Sequence, residues 1–409
     1  MEPYRFMFEK TQDRILALNK RMERLGCILQ KRFNFTQSSH VTFAQQEPVW
    51  TVGRVCCCSE GRLNDKSIVL LPPLEISNGR CLELDVSKIP EFAVFPGQIL
   101  GVEGVNSVGS SLLVSRVHQD ARKQMLASRV DKLRNYADRK SLELTVACGP
   151  FTASDGLFYK TLDALIEVLT EEPPDILMLI GPFVDLKHPV IQSCSVEKSF
   201  EEIYENLLTP RFKKALSLSE NLLLLIVPSL RDVHHDRIFP QPPFQGPFMH
   251  ERLRYLSNPC TFSVNEIVIG VTATDVLFHL SKEEVFKQSE GVRTDRLGRL
   301  ANHLIEQRSF YPLYPPAMEV NLETSRIDKL EMACTPDILI LPSDMKFFAK
   351  IVNDSLAVNP GRLTKALSAG TYCQISVAGI DSRHLDGEGD ETKISNNIVN
   401  RSQVKIMRI

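Results

Sequence analysis

No stretch of this sequence is apolar for long enough to cross a bilayer, which takes roughly 20 residues; runs such as "NLLLLIVP" (221–228) fall far short. Its start also lacks the succession of charged, apolar and small residues that marks a secretory signal. The chain is therefore read as soluble and intracellular, with no membrane contact. The ten cysteines include no Cys-x-x-Cys pair, which removes both a zinc-ribbon site and a disulfide framework. Cys56, Cys57 and Cys58 are consecutive and cannot all face one partner in a strand. The cysteines read as small, partly buried hydrophobes of a reducing compartment. Charge of one sign is lacking too: 48 Lys and Arg oppose 50 Asp and Glu, for a net −2. No global positive field draws such a chain onto nucleic acid, so any DNA contact is local, and weak or indirect.

What is present is ordinary for a globular protein: 43% hydrophobic and 24% charged residues. A length of 409 residues exceeds one typical core and predicts two domains with a helical extension. Within residues 1–40, "FEKTQDRILALNKRMERLGCIL" spaces Ile15, Leu18, Met22, Leu25 and Leu29 by threes and fours, one stripe of an amphipathic helix. Such a stripe packs on the helix's own domain or on a partner. Residues 41–119 shift to short β-like runs at 48–57, 67–76, 79–86, 97–106 and 111–118, broken by turns such as Pro96-Gly97. These short strands fit a small barrel, with the OB-fold the leading candidate. A barrel that binds single strands wants exposed aromatics among Lys and Arg. Here Trp50, Phe92 and Phe95 stand among scattered cations offset by acids. Protein docking is the expected role, and single-stranded DNA binding the alternative.

Residues 120–141 are charge-rich and helix-permissive, and are expected to form a helical connection. From 142 to 409 the pattern becomes α/β. "LELTVACGPF" (142–151) reads as a strand, 156–172 as an amphipathic helix and "PDILMLIG" as the next strand. Near-continuous apolar runs flanking a helix suit a βαβ unit whose sheet is covered on both faces. Further strands are predicted at 221–229, 265–273, 336–343, 369–380 and 403–409, which makes this part a layered α/β sandwich.

A binuclear metal hydrolase gathers Asp, His and Asn at strand C-termini, because two close cations need bridging oxygens and nitrogen ligands. In metal-dependent phosphoesterases the turn after the second strand carries Gly-Asp-x-x-Asp. Here "GPFVD" puts Pro182 in place of the first carboxylate and keeps only Asp185. The first strand end, where Asp-x-His would stand, reads "ACGPF", with Cys148 and Pro150 at those places. The third, matched to Gly-Asn-His-Asp, reads "PSLRD", with Ser229, Leu230 and Arg231 before Asp232. The last, matched to Gly-His-x-His, reads "LPSDM" around Ser343 and Asp344. No imidazole stands at these ends, so no catalytic residue, metal or cofactor is assigned. Pro182 fixes φ and removes a donor, which stiffens the turn, and Asp185 and Asp232 read as turn or capping carboxylates. The alternative is a residual single-metal site built on them with His234 or His235. Two adjacent histidines point in different directions, so a surface or loop hydrogen-bonding role is expected of that pair.

The ordered phrases "ACGPFT", "IGPFVDLKHP", "VPSLRDVHHD", "FPQPPF" and "ILPSDMKFFAK", preceded by "FPGQILGVEGVN", resemble the B-subunits of replicative DNA polymerases across essentially the whole chain. The resemblance is nearest to the second-largest subunits of DNA polymerase alpha–primase complexes. It implies an inactive calcineurin-like phosphoesterase α/β sandwich joined to an N-terminal OB-fold barrel. In that family the pair grips the C-terminal zinc-binding domain of the polymerase catalytic subunit and helps tether it to primase. The resemblance also implies nuclear residence, and a further N-terminal domain and linker in full-length relatives, of which this chain would be the core or a shortened form. Archaeal relatives that keep the Asp, His and Asn ligands are nucleases, and the competing reading is a divergent metal-dependent phosphoesterase using the leftover carboxylates.

Two segments stand out by composition. In "FPQPPFQGPF" (239–248) prolines stiffen an extended loop, and Phe239, Phe244 and Phe248 are apolar anchors for a partner or for the loop's own domain. "DSRHLDGEGDETKISNN" (381–397) is polar and acidic, and is expected to be a surface loop. Its Asp386, Glu388, Asp390 and Glu391 lack the spacing of a calcium loop.

Overall fold

The alternation of apolar and polar residues between 48 and 118 closes a barrel in the computed structural model of the chain. The structure describes residues 3–38, 41–58, 61–137, 140–246, 248–289, 291, 295–385, 389 and 392–409. Around the barrel the strands run Pro48–Cys57, Ile68–Leu71, Leu82–Asp85, Ser111–His118 and Ile99–Val105. The first and last of these pair to complete the ring, and the one parallel contact joins Leu82–Asp85 to Ser111–His118. Val55, Leu70, Leu82, Leu100, Val102 and Leu112 belong to its buried core. The run expected at 67–76 stops at Leu71. Pro72 and Pro73 offer no N–H to the ladder, and Leu74–Ser77 forms a helical turn ended by Asn78 at φ 50°.

The N-terminal helix, Thr11–Phe33, lies on this barrel, with Met22, Leu25 and Leu29 against Val52 and Ile99. Of the predicted stripe, only Ile15 is exposed. Gly26 lets the helix come close: a Cβ there would sit 3.1 Å from Val52 Cγ1. Arg21, buried in the same face, donates from Nη2 to the Gln307 carbonyl at 2.9 Å and from Nη1 to Glu331 at 3.2 Å. The Gln307 amide in turn exchanges two 2.8 Å hydrogen bonds with the backbone of Ile99. Helix, barrel and sandwich are thus joined through paired buried polar groups, which are costly to leave unmet. A short ladder between Phe92–Val94 and Val285–Lys287 adds a second tie.

The expected helical connection at 120–141 is a correction. Among its described residues it is helical only over Val130–Arg134, because Ala127–Arg129 pairs as a strand with Lys393–Ser395 and Met125 bridges to Thr335. Tertiary pairing overrides a weak helical propensity here. The acidic residues Asp386, Glu388, Asp390 and Glu391 of the 381–397 segment lie outside the described residues.

Two sheets form the sandwich. The larger has the order Leu253–Tyr255, Leu223–Val227, Ile176–Ile180, Leu142–Cys148, Thr371–Val377 and Ser402–Arg408, with the first four strands parallel. The smaller runs Cys260–Val264, Ile267–Val271, Ile338–Ile340, Ser355–Asn359 and Phe348–Val352. Val146, Met178, Ile180 and Val227 of the first sheet pack with Ile269, Ile340 and Val358 of the second. Alternate residues Ala147, Leu177, Leu179 and Ile226 point outward to helices Lys160–Val168 and Thr209–Leu216. Leu339 and Ala357 meet helices Val276–Glu283 and Arg296–Glu306. The central strands of both sheets are covered on both faces, which is why Ile176–Ile180, Leu223–Val227, Ile267–Val271 and Ile338–Ile340 read as continuous apolar runs. The layered α/β sandwich and the N-terminal barrel expected from the sequence are both present.

Candidate functional site

The parallel strands end together, and the turns that follow them are interlocked. Gly149 and Gly181 permit this approach: a Cβ on Gly149 would lie 2.1 Å from the Pro182 carbonyl, and one on Gly181 2.4 Å from Asp232 Oδ2. Asp232 is fully buried. Its Oδ2 accepts the Ser229 N–H at 2.8 Å, while Oδ1 accepts the N–H groups of Phe183 and Val184. Burial pushes its carboxyl up to about 7, against the lowering effect of those three donors. It clamps the turn after Ile176–Ile180 to the turn after Leu223–Val227.

Asp185 is buried alongside and takes a two-pronged contact from Arg231, with Nε at 2.9 Å from Oδ1. Leu230 packs into the core beneath the smaller sheet. At the fourth strand end, buried Ser343 donates its N–H to Asn359 Oδ1 at 3.0 Å and accepts from Met345 N–H at 3.1 Å. Asp344 is drawn to Arg362, whose Nε lies 2.7 Å from its Oδ1.

Arg362 is the residue that sequence reasoning missed. It is almost wholly buried, and its guanidinium also donates to Cys148 Sγ at 3.0 Å and lies 3.6 Å from Asp275. Burial disfavours its charge, yet Cys148, Asp344 and Asp275 hold its pKa above the ordinary arginine range. Burial likewise pushes the Cys148 thiol up, with Arg362 opposing. Asp344 is raised by burial but ends below the usual carboxylate range because Arg362 faces it. The only sequence cue was the turn signal of "NPGRL" after an apolar run.

The strand-end cavity, of about 330 Å³, is thus lined by Arg231, Arg362, Asp275 and Asp344. A cation cradle needs converging carboxylates and imidazoles with no competing cation. Here guanidinium groups occupy the first, second and fourth ligand regions, and among the described residues no three His, Cys, Asp or Glu side chains come together as a metal cradle. The residues present do not fit a dimetal centre. They form two sets of ion pairs, Arg231 with Asp185 and Arg362 with Asp344 and Asp275, which hold the turns in register.

His234 and His235 stand apart from these ion pairs, lining a neighbouring depression. His235 Nε2 lies 2.8 Å from the Pro242 carbonyl, as expected of a loop hydrogen bond. His234 departs from expectation: it packs in a three-ring cluster against Tyr204 and Phe244 at 4.4 and 4.8 Å, with both ring nitrogens unpartnered among the described residues. The phenylalanine anchors also need correction. Phe239 is wholly buried in one core and Phe244 is buried in the other, with Phe248 partly covered beside it. The prolines that stiffen the loop fold it onto its own domain, so Phe239 and Phe244 are not available as free anchors.

On the barrel, Phe92 and Phe95 are buried. Trp50 is packed in a ring cluster with the chain's own Phe35 and His118, at ring distances of 5.0 and 5.4 Å. No open stacking platform is formed by these three rings.

Fold and site together define a two-sheet α/β sandwich whose strand-end turns are braced by its own ion pairs, coupled to an OB-type barrel. The chain belongs to the B-subunit family of DNA polymerases alpha and epsilon, whose model matches residues 144–350. A model of the OB domain of the DNA polymerase alpha B-subunit matches residues 16–120. The DNA polymerase alpha B-subunit of Rattus norvegicus is 34% identical over 393 residues, covering 94% of this chain. That of Schizosaccharomyces pombe is 29% identical over 432 residues, covering 99% of this chain and 73% of the relative. The chain spans 64% of the length of the rat relative. Among solved structures, an archaeal phosphodiesterase aligns at 9% identity and a TM-score of 0.25, over 65% of this chain and 99% of its own.

Proposed function

We propose that this chain is a non-catalytic accessory component of DNA polymerase alpha–primase, acting in the nucleus as a scaffold in the initiation of DNA replication. Barrel and sandwich together hold the catalytic subunit through its C-terminal zinc-binding domain and tether it to the primase subunits. Membership of the B-subunit family supports this reading. The observation that carries the non-catalytic part is the Arg362 guanidinium lodged between Cys148, Asp344 and Asp275, where a hydrolase would gather metal ligands.

Co-expression with the C-terminal zinc-binding domain of a polymerase alpha catalytic subunit, followed by sizing, tests the scaffold. A stable one-to-one complex is expected, with primase subunits joining when the longer catalytic chain is supplied. Two folded proteins that elute apart would overturn it. Manganese-dependent phosphodiester hydrolysis abolished by Asp185→Ala would instead favour the phosphoesterase reading. Tight single-stranded DNA binding lost on Trp50→Ala would favour the barrel as a DNA module.

A further inference from the structure

A second depression, of about 470 Å³, lies beside the strand ends, and the proline-rich loop builds one wall of it. Pro242, Pro243, Gln245 and Gly246 contribute that wall, while Tyr204, His234 and Phe244 form a cluster of three mutually contacting rings beneath it. Glu201, Glu205 and Asp236 stand exposed on the rim, and among the described residues no lysine or arginine lines the cleft.

The backbone accounts for the arrangement. Helix Phe200–Ile203 widens into a π-helical turn at Tyr204–Leu208. Such turns occur often at functional sites. Tyr204 enters the core, while Glu201 and Glu205, one helical turn apart, stay outside. Burial lowers His234 to about 3, so the imidazole stays neutral and adds no positive charge to the floor.

We propose that this cleft is a docking site for a protein segment bearing arginine or lysine. A ring cluster and paired prolines suit the aliphatic stem and flat head of such a side chain, by packing and by cation–π attraction. The three carboxylates complement its charge and accept its N–H groups. The same carboxylates repel a phosphate backbone, which selects a basic peptide over nucleic acid. The loop at 239–248 therefore takes part in docking as a receptor wall, with Phe244 part of the floor.

The probe is a fluorescently labelled peptide of alternating arginine and glycine, titrated by anisotropy into the full chain at low and at high salt. The wild type is expected to bind, more weakly as salt rises. Neutralising the rim with Glu201→Gln, Glu205→Gln and Asp236→Asn together should weaken binding about tenfold. The control is Glu171→Gln with Glu172→Gln, two exposed carboxylates before the opposite end of the strand Ile176–Ile180. It should leave affinity within about twofold. Absence of binding by the wild type, or equal weakening in both variants, would overturn the proposal.

Discussion

The strand-end cavity and the cleft beside it sit near one another but treat their charges in opposite ways. In the first, Arg231 meets Asp185, and Arg362 meets Asp344 and Asp275. In the second, three carboxylates surround a neutral ring cluster, with no cation among the described lining residues. Charges satisfied from within hold a structure together, and the penalty for breaking them is large because a partner is left buried and unpaired. Exposed carboxylates add little to stability. The first region is therefore turned inward, to brace the strand-end turns, while the second faces outward.

That contrast is best broken by removing its parts in turn, with stability read from urea melts. Arg362→Ala leaves two carboxylates beside an empty, buried space, and should cost about 3–5 kcal/mol. Asp232→Ala strands three backbone donors, and about 3 kcal/mol of destabilisation is expected. A companion substitution, Asp232→Asn, sharpens the point through pH. The folded pKa of Asp232, about 7, lies above its unfolded value, so the native state holds its proton longer. Its contribution relative to asparagine should be fully present below the unfolded carboxylate pKa and lost as pH climbs through about 7. Paired melts at mildly acidic and mildly alkaline pH measure that slope, and a difference growing with pH would contradict the assignment. Arg231→Ala, at a partly exposed position, should cost about 1–2 kcal/mol. Smallest of all, the triple rim variant of the cleft should change stability by less than about 0.5 kcal/mol.

Much of this contrast was legible in the sequence, and the reasons for the rest are physical. The strand-end positions Cys148, Pro182, Arg231 and Ser343 were readable because each stands at or just past the end of a strand whose apolar run announces it. Asp232 is the turn carboxylate that its type and position suggested. Arg362 is hidden because the strand before it, Ser355–Asn359, carries only Leu356, Ala357 and Val358 between polar ends and lacks a long apolar run. Its partners lie far away in the chain, at Cys148, Asp275 and Asp344. The burial of Phe239 and Phe244 could not be read locally either, since a stiff proline-rich loop can present its rings outward or inward with equal ease. Only the cores formed by Tyr204, Phe212 and Phe183 on one side, and Tyr311 on the other, decide which.

The most direct test of the central claim is a calorimetric titration of the full chain with manganese, repeated on Asp185→Ala. If guanidinium groups have replaced the metal centre, neither protein will show saturable binding attributable to the strand ends. Stoichiometric uptake by the wild type that disappears in Asp185→Ala would contradict the account, and would return these carboxylates to a catalytic role.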